Sequence, residues 1–429
     1  VSSILIKPQN FPETLVWYYI ICTYPIYFLG AQFVLAPLLA SCLVVYLLIK
    51  WWNQTENTPK AEKITISITA WVWVGAVIVI EVALIVNHII LEFETRRIIT
   101  SSLLWYRTWG LFALFPLAGH LNIRPKLIYR AVCILCLQSL VVVIIGVIAG
   151  FLHLPSISYI SPLKAVGGDE EMYLVKFFHT LRDRLELFAI WPTILALAAS
   201  IYFCFALQET DKKWRCIGLF TSIFMILAAQ ARTATVGLPF VLGLVWFLTN
   251  FVRPWVQFAT GFMSLLMGMF APIVIDFLKV FKEQFDKLRS GSSKVRAAIY
   301  RISLERWWNE SPIWGLAVRE RGPEVIVNLP LGSHHTWFGT LYSYGIVGCA
   351  ALAVAFLWSF FDLLIKAQTS EDAKVGLQVL LVMLICSFAD NLETFAFTYW
   401  PGWLILGIAF KQSSSCNSIS ENEMKSFIH

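Results

Sequence analysis

The feature that most limits what this chain can become is a series of apolar runs, 14 to 29 residues long, recurring from one end to the other. A helix rises about 1.5 Å per residue, so about 20 residues cross the ~30 Å hydrocarbon layer of a bilayer. Inside that layer the backbone must satisfy its own N–H and C=O groups, which helices do and open strands do not. The expected fold is therefore an all-α polytopic membrane protein with about 12 transmembrane helices. The runs read as spans are 14–28, 33–51, 64–90, 103–121, 131–152, 187–207, 216–230, 236–252, 256–275, 337–365, 375–389 and 397–410. Composition agrees: 58% of the 429 residues are hydrophobic and only 14% charged, against roughly 25% charged in soluble domains.

The runs divide the loops into two sets. One carries Lys50, Lys60 and Lys63, then Arg124, Lys126 and Arg130, then Lys212, Lys213 and Arg215, then Arg253, Lys366, Lys374 and Lys411. Short basic loops stay on the cytoplasmic side, so this set and both termini are expected inside, with no cleavable signal at the start. Residues 1–429 then form a single transmembrane domain with a polar cytoplasmic tail, 411–429. A large helical loop at 276–335, between spans 9 and 10, forms a subdomain on the outer face.

That outer set holds the candidate chemistry. Arg184 begins the sixth span in LRDRLELFAIWP, and Arg232 lies between two spans in QARTATVG with almost no polar loop around it. Asp390 follows the eleventh span in SFADNLETFAF. Charge at such depth is costly unless it is paired or faces water, so a shared cleft explains these residues together. In the large loop, Ser290–Ser293 reads as a helix start whose hydroxyls cap free N–H groups. Arg296 would then fall in the first turn, where the helix end and the guanidinium jointly suit an anion, although a solvated arginine fits the local pattern as well. His334 and His335 stand in GSHHTWFG, between Gly332 and Gly339; an imidazole is the side chain that takes up a proton near neutral pH without special tuning. Within the apolar runs, Glu81 and Arg107 are expected to neutralise each other, and Asp183 and Glu186 are candidate partners for Arg184.

Other classes are set aside. Most of the nine cysteines lie within apolar runs and act as small fillers, and Cys133 and Cys136 form a CxxC with no second pair to complete a metal site. The acidic patch GGDEE at 167–171 reads as solvated. The net charge of +6 is spread over loops between spans, which gives no footprint for nucleic acid.

SSKVRAAIYRISLE, then NESPIWG, then GSHHTWFGTLYSYGIVG resembles the signature of the bacterial O-antigen ligase and O-antigen polymerase superfamily: an arginine opening a loop helix, a short Pro-to-Gly segment, and a histidine before a span with a Gly-x-x-Gly pair, here Gly345 and Gly348. The close likeness covers about 276–348, with weaker support from the Arg184 and Arg232 segments. It implies a GT-C-like fold in the bacterial inner membrane with its active site facing the periplasm. It also implies metal-independent, cofactor-free glycosyl transfer from an undecaprenyl pyrophosphate-linked glycan. By position, Arg184, Arg232 and Arg296 would contact the pyrophosphate and His334 would be the general base, with His335 and Asp390 as further substrate-binding candidates. The chain departs from the pattern in having His335 where Asn is common and Ala231 where Ser is common; the first leaves either histidine open as the base. The expected partners are the lipid-linked donor, a lipid A-core or glycan acceptor, and membrane lipids. The ligase reading is preferred. Polymerase, with the same donor chemistry, and a transporter of an anionic substrate remain as alternatives.

Overall fold

A computed structural model describes residues 6–59, 63–155, 157–177, 184–273, 275–277, 279–280, 290–318, 320–323 and 329–412. The chain is a multi-pass membrane protein, but not one of twelve spans. Among the described residues, five helices are long and apolar enough to cross: α3 (Gln32–Trp52), α4 (Ile68–Ile90), α7 (Pro125–Phe151), α10 (Arg232–Asn250) and α13 (Thr336–Lys366). A sixth results if α11 (Pro254–Met269) and its continuation Ala271–Phe277, bent from it by 77°, count as one span. The expected twelve-span, GT-C-like layout, with its loop between a ninth and a tenth span, is corrected accordingly.

The physical reason lies in what hydropathy measures. It registers side chains that avoid water, whether lipid or protein covers them, and it misses turns in the backbone. The first apolar run breaks at Cys22 into α1 (Phe11–Ile21) and α2 (Thr23–Phe28), and the fourth breaks at 108–110 into α5 (Thr95–Arg107) and α6 (Leu111–Ala118). Four further runs yield helices below span length: α8 (Pro192–Leu207), α9 (Lys212–Ala228), α14 (Glu371–Cys386) and α15 (Trp400–Lys411). Of these, α8, α14 and α15 are buried over most of their length, α15 almost entirely. They are apolar because protein surrounds them, as short apolar helices commonly are.

Aromatic side chains knit this core. Trp73 of α4 meets Trp403 at 5.0 Å and Phe356 at 5.2 Å between ring centres, and Phe112 meets Trp403 at 4.1 Å. The Trp73 indole N–H donates to Ser359 Oγ at 2.8 Å, so this buried donor is satisfied.

The helix ends sort into two groups. At one end Arg124 bonds to Glu13 at 2.7 Å, Arg130 bonds to Glu209 through two nitrogens at 3.0 and 2.9 Å, His120 accepts from the Ser67 N–H, and Gln412 reaches Asp372. The loops rich in Lys and Arg gather here. At the other end lie a two-stranded antiparallel sheet, β1 (Ile157–Ile160) paired with β2 (Leu174–Phe177), and helix α12 (Ser290–Glu310). Arg107 is used at this second end, donating to the carbonyls of Gly167 at 2.9 Å and Val166 at 3.1 Å. It is therefore not the partner of Glu81, whose carboxylate bonds to Ser102. Glu186 pairs with Lys176 at 2.5 Å rather than with Arg184. Arg182, Asp183, Lys60 and nearly all of the tail 411–429 lie outside the described residues.

Candidate active site

The second end is built around a break in α13. Gly345 has φ 63° and ψ −166°, a conformation essentially restricted to glycine, and it interrupts the helix after its first nine residues. An interrupted helix leaves N–H and C=O groups without partners, and here the segment 312–317 supplies them. Leu316 N–H donates to Tyr342 O at 2.7 Å and Ala317 N–H to Ser343 O at 2.9 Å; in return Ile346 N–H donates to Pro312 O at 3.0 Å and Val347 N–H to Ile313 O at 3.3 Å. Backbones this close leave no room for side chains. A Cβ on Gly315 would lie 2.5 Å from the backbone nitrogens of Tyr344 and Gly345, and one on Gly345 would strike the Ile313 carbonyl. The PIWG stretch and Gly345, both singled out in the sequence, thus serve one interlock between the α12 connection and α13, whereas Gly348 makes room for the Tyr344 side chain, whose Cβ would lie 2.4 Å from an added Cβ.

The start of α13 is tied down as firmly. Thr336 N–H donates to Ser387 O at 2.9 Å, its hydroxyl donates to Asp390 O at 2.8 Å, and the same hydroxyl accepts from Leu392 N–H. His335 is the cap residue: its Nδ1 accepts from the Phe338 N–H at 3.3 Å, and its ring packs against Phe338, Tyr300 and Phe388. Burial lowers its pKa to about 4, so the ring is neutral at physiological pH and suited to accepting that bond. His334 precedes it with φ 62°, and its carbonyl accepts from the Tyr300 hydroxyl at 2.9 Å.

Beside this platform is a cavity of about 80 Å³ into which Arg184, Arg232, Arg296 and Asp390 all project, together with Thr193 and Gln230. Each arrives by a different route. Arg184 precedes α8 and is held by its own Nε bond to Ala229 O at 3.0 Å, with Leu185 N–H donating to the neighbouring Ala228 carbonyl at 3.2 Å. Gln230, at φ 50°, lets the chain reverse from α9 into α10, which puts Arg232 at the first position of α10. Arg296 reaches across from α12 to Ala389 O at 3.4 Å. Asp390 comes from the turn after α14 and is buried. Burial pushes its carboxyl up to about 6, against the opposing pull of a hydrogen bond from Thr193 and the charges of Arg296 and Arg184. Neither histidine lines this cavity.

The helix terminus at the cavity differs from the one expected. Helix α12 is already formed at Ser290, so Arg296 lies well beyond a first turn; the capping hydroxyls of 290–293 fall outside the described side chains. It is α10 that opens into the cavity, through Arg232, Thr233 and Ala234. Its cap position is Ala231, which has no side-chain oxygen to cover the first N–H groups. Helix dipole and guanidiniums therefore act on the same small volume, a combination that suits a bound oxyanion. Thr193, Gln230 and this helix start were not singled out from the sequence. The alanine at the cap was the one available signal, since a serine there would satisfy an N–H that a ligand could otherwise use.

Residues 217–353 match the family model described as O-antigen ligase. That segment, about a third of the chain, belongs to the O-antigen ligase superfamily. The matched O-antigen ligase segment runs from α9 to just past the break in α13 and includes Arg232, Arg296, His334 and the Gly345–Gly348 pair. Arg184 and Asp390 lie outside it and are brought to it by the fold. No curated protein matches the chain. The general activity of this superfamily is glycan transfer of the O-antigen ligase or polymerase type. Among the described residues no three His, Cys, Asp or Glu side chains stand close enough together to hold a metal ion.

Proposed function

We propose that the protein is an O-antigen ligase. In this reading it transfers a glycan from undecaprenyl pyrophosphate to a hydroxyl of a lipid A-core acceptor, on the periplasmic side of the inner membrane. The observation that carries the reading is the meeting of Arg184, Arg232 and Arg296 at the open start of α10. Three cations and a helix terminus in one small cavity suit a diphosphate, whose negative charge grows as the glycosidic bond breaks. Arginine is apt because its fork can hold two phosphate oxygens at once. Asp390 would keep the arginines in register without cancelling their charge. His334 would take the proton from the attacking hydroxyl, while His335 is occupied in capping α13.

A lipid-linked donor is supported by a second cleft, of about 120 Å³, lined by Tyr24, Tyr27, Phe28, Val142, Ile145 and Leu187 with Lys176 and Phe177. Leu187 follows Arg184 by three residues, so one short segment borders both spaces. Ile145 is half exposed on α7, where a bilayer would lie, so this apolar cleft faces lipid and suits a hydrocarbon chain. The gathering of short basic loops at the opposite end of the molecule supports the periplasmic siting.

The decisive experiment incubates purified protein with lipid-linked glycan and either lipid A-core or a second lipid-linked glycan, with and without chelator. Product with lipid A-core that persists in EDTA, and is lost with His334→Ala, is the expected result. Product only with the second lipid-linked glycan would make the protein a polymerase. No product with either acceptor would refute glycosyl transfer and favour transport.

A further inference from the structure

Tyr300 follows Arg296 by four residues on α12, so both side chains leave the helix on one face. Its hydroxyl donates to the His334 carbonyl at 2.9 Å, and its ring meets His335 edge-on at 5.2 Å and Phe338 at 5.1 Å. Arg296 and Asp390 are both close enough for their charges to act on it. It thus touches the histidine loop while standing beside the cationic cavity.

His334 itself is in a left-handed backbone conformation, which a residue with a Cβ adopts only when its surroundings impose it. On one side its neighbour His335 is fixed as the α13 cap. On the other, Gly332 is held by its N–H bond to Ser303 Oγ at 2.9 Å and by its carbonyl, which accepts from Asn391. Between these anchors, the Tyr300 hydroxyl holds the peptide of His334.

We infer that Tyr300 is a positioning residue for the transfer reaction, its hydroxyl fixing the strained backbone of His334 and so setting where that imidazole stands relative to Arg296. The inference rests on the reading of His334 as the base. Tyr300 makes no bond with the donor in this account, and the proton taken by His334 does not pass through it.

Tyr300→Phe removes the hydroxyl and keeps the ring packing. An ordinary hydrogen bond is worth about a 3- to 10-fold population ratio, so kcat should fall by about that factor, with the KM for lipid-linked donor within about 2-fold of wild type. Hydrogen exchange at 333–335 should speed up while the body of α13 stays protected, and in a His334→Ala background Tyr300→Phe should lower the residual rate no further. A wild-type kcat in Tyr300→Phe beside an inactive His334→Ala overturns the inference alone. So does a raised donor KM at unchanged kcat, or an equal loss in the His334→Ala background. A His334→Ala protein that transfers at the wild-type rate would instead remove the base reading beneath it.

Discussion

Replacing Gly345 with alanine attacks the site without touching any residue proposed to meet substrate. Two costs add. The first is conformational: φ 63° with ψ −166° is a region for which a residue bearing a Cβ is penalised by about 1–3 kcal/mol. The second is steric, because the new Cβ would strike the Ile313 carbonyl and come within 2.6 Å of Gly315 N, both backbone atoms that cannot swing away. Relief requires 312–317 to leave the break, which forfeits the four backbone hydrogen bonds there. At about 0.5–1.5 kcal/mol net each, they contribute about 2–6 kcal/mol. The total, about 3–9 kcal/mol, is comparable to the whole stability of an ordinary domain, so the segment should open locally. Hydrogen exchange read by mass spectrometry provides the assay. The amides of Leu316, Ala317, Ile346 and Val347 should lose protection by about 100-fold or more while those of α7 keep theirs, and glycan transfer should fall to background. Gly243→Ala on α10, where the added methyl meets nothing within 4 Å, serves as the control and should be neutral or stabilising by up to about 1 kcal/mol. Wild-type exchange and activity in Gly345→Ala would refute the claim that the interlock holds the site.

Arg296→Lys keeps the charge but loses the fork, and should raise the donor KM about 10- to 100-fold with little effect on melting temperature; an unchanged KM counts against a phosphate contact. Asp390 binds its proton more tightly folded, at about 6, than at its ordinary value of 3.8. Between about pH 4 and pH 6 the folded state thus holds more protons, and stability falls as pH rises, by about 3 kcal/mol from this group. Asp390→Asn should flatten that part of the stability profile measured by denaturation in detergent, and parallel profiles would disprove the assignment. In a background without native cysteines, a cysteine at exposed Glu171 should react with an impermeant thiol reagent from outside intact cells, and one at exposed Lys213 only after permeabilisation. The reverse pattern would invert the proposed orientation.

The sequence alone determined that this is a helical, multi-pass membrane protein and that one segment of it belongs to the O-antigen ligase superfamily, because hydropathy and a motif such as GSHHTWFG are local properties. It did not determine which apolar runs cross. Those forming α8, α14 and α15 are as apolar as the spans, yet neighbouring helices rather than lipid cover them, and only the packed structure separates the two kinds of burial. Within the site, the arginines were visible one at a time as charges with no local excuse. Their meeting with Asp390, the open start of α10 between them, the use of His335 as a cap and the interlock at Gly345 depend on contacts between distant residues. Spacing along the chain carries no record of such contacts, because they are set by how helices of unequal length pack.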